Sequence, residues 1–421
     1  MADQIISGID IGSSKVAAII AKASEESSPR VLGFASVPSR GVKRGQIVDI
    51  NHVTDSIEGA VEKAERMAGT KMQRAFVSVG GPHIESLNSQ GVVAVSHPEV
   101  EILEEDVSRV VEAAKAISLS STREVIEIIP REFIVDGQSG IHNPVGMSGV
   151  RLEVNTHIIT ASTTSMKNVD RCLSDLGIST EAYVFSGLAS AQACLSDTEK
   201  ELGVVLVDIG GGKIDICVYC EGALAHSVSI GVGARHVTND IAVGLRVSLD
   251  SAEKIKLFLS DRERTKEHLT KKDEISIKGL GLEEEISNIS YKTVVDGIVR
   301  PRLEEMFGEV IKVLEETEFI TKVPSGVVVS GGGALTVRVK DAAKRVVGLP
   351  ARVGTPQNIT GLVDEVLYPQ YATSVGLLLY ATEYSSTREG MEFKDFDKIF
   401  RSISVKGSMK KVTDLFKSLI P

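Results

Sequence analysis

Two segments of this 421-residue chain carry the same short pattern. The first reads I-D-I-G-S-S-K-V and the second V-D-I-G-G-G-K-I, so that Asp10 matches Asp208, Gly12 matches Gly210 and Lys15 matches Lys213. Each reads as strand, tight turn, strand. Two copies 198 residues apart ask for a duplicated α/β domain with a cleft between the halves. The length fits, since it corresponds to about two to three domains.

Each copy has a readable chemistry. A hairpin with Gly and Ser at its turn presents backbone N–H groups and no bulky side chain, which is a nest for phosphate oxygens. The Asp before each turn stands at a strand end, where it can hold a hydrated Mg²⁺, an ion that takes one or two carboxylates together with phosphates and retained waters. Two such hairpins facing each other would clamp a polyphosphate from both sides. Gly331, Gly332 and Gly333 follow a third buried-type strand, VVVS, and offer bare backbone on which an adenosine can lie. Other phosphate motifs do not match. GGGKI lacks the first Gly and the final Ser/Thr of a P-loop, and no G-x-G-x-x-G opens a helix after a strand.

Composition narrows the partners. Lys and Arg total 47 against 57 Asp and Glu, a net charge of −10, and Trp is absent. An acidic chain with few aromatics suits neither a nucleic-acid backbone nor a base-stacking platform. No run is long and apolar enough to span a bilayer, and MADQIISGID has no basic-then-apolar signal pattern. Four cysteines fit a reducing compartment. Cys217 and Cys220 lie in the strand pattern IDICVYC, where their odd spacing sends them to opposite faces, so they read as core residues and not as zinc ligands.

Along the chain, periodicity predicts helices over 53–68, 103–117, 166–177, 186–196, 235–260, 293–317 (kinked or restarted at Pro301) and 336–347, and a last packed helix in YATSVGLLLYAT. Residues 82–161 form a distinct region whose strand-like runs GVVAVS, EVIEIIP, EFIV and THIITAS flank a helix. From about 385 the texture becomes a polar linker. At the end, Met409, Val412, Leu415, Phe416, Leu419 and Ile420 make one apolar stripe, with Lys410, Lys411, Asp414 and Lys417 opposite. A basic amphipathic helix after a linker reads as a membrane-surface anchor; the other reading is a helix docked back on the protein. Its six half-immersed apolar side chains contribute ~6 kcal/mol. Each lysine adds ~1 kcal/mol near an anionic surface. Folding a helix this short takes several kcal/mol back. One anchor is therefore weak, and membrane binding should depend on many anchors carried by one polymer.

IDIGSSK, LVDIGGGKIDI and VVVSGGGAL resemble the two phosphate motifs and the adenosine motif of the actin/Hsp70/sugar-kinase superfamily of ATP-binding proteins. FVSVGGPHIESLNSQGVVAV, DGQSGIHNPVGMSGVRLEVNTHIITAS, VFSGLASAQACL, HVTNDIAVGLRVSLDSAEKIK and YPQYATSVGLLLYAT narrow the resemblance, over residues 5–384, to the FtsA family of actin-like bacterial cell-division proteins. This implies duplicated actin-like (ribonuclease H-like) domains around an ATP cleft, with an inserted 1C subdomain and a C-terminal amphipathic helix. Residues 1–81 and 162–200 would form subdomain 1A, 82–161 subdomain 1C, 201–230 and 305–364 subdomain 2A, and 231–304 subdomain 2B. Residues 365–384 would be a helix returning to 1A, 385–407 a flexible linker and 408–421 the membrane-targeting helix.

The same resemblance implies site residues. Asp10 and Asp208 would sit near Mg²⁺, with Gly12, Ser13, Ser14 and Lys15 on the phosphates and Gly210, Gly211 and Gly212 opposite. Glu253 and Lys256 would line ribose and adenine, or form a surface ion pair at their i, i+3 spacing. Gly331, Gly332 and Gly333 would lie along the adenosine. Two positions depart from the superfamily pattern. Lys213 stands where Thr is usual, and either reaches a phosphate or points away. Ser186 stands where several actin-fold ATPases keep a water-orienting Glu or Gln, which leaves Asp208 and Gln192 as weak catalytic candidates and implies tight ATP binding with slow hydrolysis. The implied partners are the chain itself in filaments, an anionic membrane surface contacted by Met409, Lys410, Lys411, Val412, Leu415, Phe416, Lys417, Leu419 and Ile420, later division proteins, and the tail peptide of FtsZ. Lys292, Arg300 and Arg302 could receive that peptide's carboxylates, or be ordinary surface cations. The implied location is the cytoplasmic face of the cell membrane at the division site. An adaptor of another membrane machine, of pilus-assembly type, and a small-molecule kinase are the alternatives.

Overall fold

The computed structural model describes residues 4–24, 27–95, 101–261, 273–362 and 364–390, with side chains described to Tyr384 in the last helix. The first lobe begins with strands β1 (Gln4–Ile11), β2 (Lys15–Ser24) and β3 (Ser27–Pro38), helix α1 (Ile50–Ala68) and strand β4 (Arg74–Val79). The chain then leaves for an inserted unit: β5 (Glu85–Ala94), α2 (Glu104–Ala114), β6 (Arg123–Val135), β7 (Gln138–Ile141) and β8 (Arg151–Ser162). It returns with α3 (Thr163–Ser174), β9 (Ser179–Phe185) and α4 (Ser186–Cys194). The second lobe runs through β10 (Val204–Ile209), β11 (Ile214–Cys220), β12 (Ala223–Ile230), α5 (Arg235–Leu245), α6 (Leu249–Ser260), α7 (Arg300–Glu316), β13 (Val327–Ser330), α8 (Val339–Val347) and β14 (Ala351–Val353). Helix α9 (Ala372–Gly390) closes the described chain against α4, β1 and β2.

The repeat seen in the sequence is a repeat of whole sheets. The first lobe orders its strands β3-β2-β1-β4-β9, with the short strand Thr360–Gly361 added parallel to β3 at its edge, and the second β12-β11-β10-β13-β14. In both, the first three strands of the lobe run antiparallel and the last two run parallel to the first. β1 and β10 are therefore equivalent central strands. Both are buried on both faces, as near-continuous apolar runs require. Ile9, Val16, Ala18 and Ile20 pack on one face with α1 and α3. Ala17, Ile19 and Ala21 pack on the other with α4, α9 and the second lobe's Leu206, Cys217 and Tyr219. Helices α4 and α9 thus lie between the lobes. A Cβ on Gly376 would stand 1.8 Å from the Ala189 carbonyl oxygen, so only glycine permits this crossing.

The insert is a four-stranded antiparallel sheet, β5-β8-β6-β7, with α2 packed on it around its own small core. EVIEIIP and EFIV join into the single strand β6. Its proline is accommodated where the register against β8 shifts, between Pro130 and Glu132.

Several element bounds differ from expectation. The helix predicted over 235–260 is two helices, because Arg246 adopts a left-handed conformation (φ 55°) and Ser248 caps the start of α6. The helix predicted over 293–317 is a π-helical stretch, Lys292–Val299, followed by α7 with Pro301 in its first turn. Helix α9 continues to Gly390, past the expected linker start at 385, since no Gly or Pro lies between Gly376 and Gly390. Cys217 and Cys220 are both buried, in different cores on opposite faces of the sheet. No described helix is long and apolar enough to cross a membrane. Residues 391–407 and the expected amphipathic helix 408–421 lie outside the described residues.

Candidate nucleotide cleft

The two glycine turns close in the same way. Gly12 N–H donates to the Lys15 carbonyl at 3.0 Å, and Gly210 N–H to the Lys213 carbonyl at 2.9 Å. They also stand against each other. A Cβ on Gly211 would fall 1.7 Å from Ser14 Oγ, and one on Gly212 would fall 2.9 Å from Ser13 Oγ. Bare backbone is what lets the lobes approach this closely. Ser13 Oγ accepts from Gly45 N–H at 3.0 Å, which fixes the first turn. The second turn is held from behind, where the Gly210 and Gly211 carbonyls accept from the N–H groups of Ala234 and Arg235, each at 2.9 Å. These bonds seat the start of α5 on the turn.

Asp10 and Asp208 occupy the ends of β1 and β10 and are both nearly buried, at 9% and 6% exposure. Asp10 accepts from Ser78 Oγ at 2.8 Å, and Ser78 Oγ in turn accepts from Ile11 N–H at 3.2 Å. Asp208 accepts from Ser190 Oγ on α4 and, at 3.4 Å, from Thr373 Oγ1 on α9. Burial pushes the Asp208 carboxyl up to about 6, with the neighbouring Asp215 charge adding to the rise. Lys15 lies in the field of both carboxylates, which oppose the lowering of its pKa by burial. Its ammonium donates to the Gln370 carbonyl and sits 4.6 Å over the Tyr371 ring. The third glycine run reaches the same place. Gly331 adopts φ +78°, donates to the Pro369 carbonyl at 3.1 Å, and a Cβ there would fall 2.2 Å from Asp208 Oδ1. Gly333 packs on Ile209, while Gly332 is exposed, and a Cβ there would stand 3.9 Å from Gln370 Cβ.

On α6, Lys256 Nζ bonds Glu253 Oε2 at 2.7 Å and Thr238 Oγ1 at 2.9 Å, and Thr238 Oγ1 donates to Glu253 at 2.5 Å. The expected ion pair forms. Its Thr238 partner lies on α5, the helix seated on the second turn. Two carboxylates with hydroxyl support, an ammonium and two rows of N–H groups make an all-oxygen acceptor and hard-donor set, which fits a polyphosphate carrying a hydrated Mg²⁺. Among the described residues, no group of three or more His, Cys, Asp and Glu side chains could hold a metal directly.

Other expected residues are placed elsewhere. The Lys213 ammonium turns away from the second turn to Asp215 and Ser186 Oγ, so only its backbone belongs to the turn. Gln192 donates to Glu383 on α9, and Ser190, two positions earlier, donates to Asp208. Arg302 is engaged bidentately by Asp240 and also by Glu305, and Arg300 pairs with Asp296, while Lys292 is exposed beside Asp273. Sequence reasoning missed Asp215, Ser78, Ser190, Thr373 and Gly233. Asp215 had a signal: it is the second carboxylate of VDIGGGKID and the direct cross-strand partner of Asp208.

Comparisons with known proteins agree with this architecture. A family described as "SHS2 domain inserted in FTSA" matches residues 81–160, and "Cell division protein FtsA" matches residues 205–376. The chain is 35% identical to the cell division protein FtsA of Pseudomonas aeruginosa over 96% of this chain and 93% of that protein. It is 37% identical to that of Neisseria meningitidis over 89% of each, and 34% identical to that of Escherichia coli K12 over 90% and 91%. Among solved structures, the PilM-PilN type IV pilus biogenesis complex superposes with TM-score 0.63 at 16% identity, covering 90% of this chain and 98% of that one. MreB5 of Spiroplasma citri bound to ADP gives 0.53 at 13% identity, covering 92% and 99%. These two likenesses are of fold. With the duplicated sheets, the facing turns and the insert in place, the chain belongs to the FtsA family of actin-like cell-division proteins.

Proposed function

We propose that this chain binds Mg·ATP between its two lobes, assembles into filaments on the cytoplasmic face of the cell membrane, and ties the FtsZ ring to that membrane while recruiting later division proteins. One observation carries the nucleotide reading: two glycine turns closed by the same hydrogen bond stand face to face, each preceded by a buried Asp, with Lys15 in the field of both carboxylates. When bound, Mg²⁺ would supply charge neutralisation for the phosphates, and Asp10 and Asp208 are the side chains to hold it through water. The Gly12 and Gly210 N–H groups close the turns, so Ser13, Ser14, Gly211 and Gly212 present theirs to the phosphates, Glu253 and Lys256 edge the ribose and adenine side, and Gly331–Gly333 leave a backbone surface for the base.

Hydrolysis is expected to be slow. Ser186 Oγ, at the position for a water-orienting group, already donates to the Val79 carbonyl at 2.8 Å and accepts from Lys213 at 2.7 Å. Its one proton is committed, and the lysine charge on its oxygen leaves the remaining lone pair a poor acceptor for an attacking water. The membrane and FtsZ roles rest on the family and on the sequence of 409–420. Of the three candidate cations, exposed Lys292 carries the FtsZ proposal best; Arg300 is held by a 3.4 Å ion pair to Asp296, and Arg302 is engaged bidentately by Asp240 and also by Glu305.

The test is co-sedimentation of the full chain with anionic liposomes, with and without Mg·ATP. Binding is expected to strengthen with ATP and to disappear on deletion of 408–421. Undiminished binding by the deleted chain would refute the anchor, and phosphorylation of a small metabolite would favour a kinase.

A further inference from the structure

The buried lysine that the nucleotide does not use begins a chain of hydrogen bonds leading out of the cleft. Lys213 lies beside the second turn, and its ammonium is held by one oxygen of Asp215. The other oxygen of Asp215 accepts from Ser229 Oγ on β12 at 2.6 Å. Ser229 Oγ accepts from Gly81 N–H at 2.9 Å, at the point where the chain enters the insert. Two residues away on the same face of β12, Ser227 continues the seam. Its Oγ meets His157 Nε2 at 2.8 Å on β8, and its carbonyl accepts from Ser86 Oγ at 2.5 Å on β5. Asn88 of β5 closes the network by bonding His157 Nδ1 at 2.8 Å and the Ala225 carbonyl at 3.4 Å.

The bond directions are fixed by chemistry. Asn88 Nδ2 donates to Ala225, so its Oδ1 must accept from His157 Nδ1–H, and His157 Nε2 then accepts from Ser227. Burial keeps this imidazole neutral, pushed down to about 3, so the seam does not change with pH in the neutral range. Four of these bonds, Gly81 to Ser229, His157 to Ser227, Ser86 to Ser227 and Asn88 to Ala225, cross between the second lobe and the insert or its entry. On the other side, Lys213 reaches Ser186, whose hydroxyl holds the Val79 carbonyl at the end of β4. The second phosphate turn is thus bonded through one ion pair both to the first lobe and to the insert.

We infer that Lys213 and Asp215 are positioning residues that couple closure of the two phosphate turns to the orientation of the inserted unit through Ser229 and Ser227. The inference rests on the nucleotide reading given above. It makes the insert responsive to what the cleft holds.

The experiment is hydrogen exchange by mass spectrometry on the full chain, without nucleotide and at saturating Mg·ATP. In the unaltered chain, ATP is expected to slow exchange of residues 85–94 and 151–162 by about 5- to 150-fold, the usual span of coupling between sites. Ser229→Ala removes the hydroxyl between Asp215 and Gly81 and is expected to abolish that slowing while ATP still protects the turns; Ser229→Thr, which restores a hydroxyl, is expected to recover it. The pair Lys213→Met/Asp215→Leu, which leaves no lone buried charge, serves as a second uncoupled variant. A merely structural role would change exchange with and without ATP alike. Equal ATP-dependent slowing of the insert in the unaltered chain, Ser229→Ala and the double variant would overturn the inference and leave the nucleotide reading standing. Failure of the unaltered chain to bind ATP would overturn both.

Discussion

Gly233 supports the cleft from behind, and substituting it gives a sharp test. A Cβ at this position would stand 2.7 Å from both the Gly210 carbonyl oxygen and the Lys213 nitrogen, and 2.8 Å from Gly211 carbonyl carbon. All three atoms are backbone of the second phosphate turn, so no side chain can rotate away. Its φ lies outside the left-handed region, so the penalty of Gly233→Ala is steric and not conformational. Overpacking of this kind costs about 1–3 kcal/mol. For a lobe of this size that is a fall in melting temperature of about 2–12 °C. If the turn relieves the clash by moving, the same energy appears as a loss of ATP affinity of about 5- to 150-fold. Gly59→Ala is the control. It lies inside α1, a Cβ there meets nothing within 4 Å, and the change should stabilise the chain by about 0.8–1 kcal/mol with no effect on ATP. Thermal melts and titration calorimetry on the two variants read both quantities. A Gly233→Ala chain that melts within 1 °C (~0.3 kcal/mol) of the parent and binds ATP equally well would refute the packing argument.

Other outcomes follow from the same geometry. The Asp208 carboxyl ionises near 3.8 when unfolded and about 6 when folded, so between these values the folded chain holds the extra proton; ligand-free stability is fully present below about pH 4 and declines as pH rises to about 6. Mg·ATP affinity should run the other way, increasing through about pH 6 as the carboxylate forms, and Asp208→Asn should flatten both profiles. Lys15→Met removes an ammonium held near both carboxylates, and loss of a charged hydrogen bond of about 1.5–3 kcal/mol should weaken ATP binding by about 10- to 150-fold in calorimetry. Lys213→Met alone leaves Asp215 charged and unpaired at 2% exposure, and the cost of about 3–5 kcal/mol should appear as a large drop in melting temperature that Lys213→Met/Asp215→Leu recovers.

What could be read from the sequence was set by how locally each feature is determined. The matching octapeptides led to duplicated sheets, because a strand-turn-strand with glycine at the turn has one economical geometry, and both turns adopt it. The opposite placement of Cys217 and Cys220 followed from strand alternation alone. The direction of the Lys213 side chain did not, because it depends on Ser186, 27 residues earlier in the chain, as well as on Asp215 two positions on; a motif does not show which distant hydroxyl its lysine meets. Asp208 is held by Ser190 and Thr373, which come from two helices far apart in the chain. Nothing in their local sequence marks them as partners. Two positions turn a helix residue by about 200°, so Ser190 faces Asp208 while Gln192 reaches Glu383. The break between α5 and α6 was hidden by an apolar pattern that continues through it, while the actual signals, a left-handed Arg246 and a capping Ser248, are individually weak.

The central claim is that two glycine turns, each with a buried Asp at its base, form one nucleotide clamp. Titration calorimetry of Mg·ATP into the full chain, the Asp10→Asn variant and the Asp208→Asn variant measures it directly. The account predicts one ATP bound per chain, with either substitution in either lobe weakening the same site. Binding that is absent from the unaltered chain, or that survives both substitutions unchanged, would contradict it.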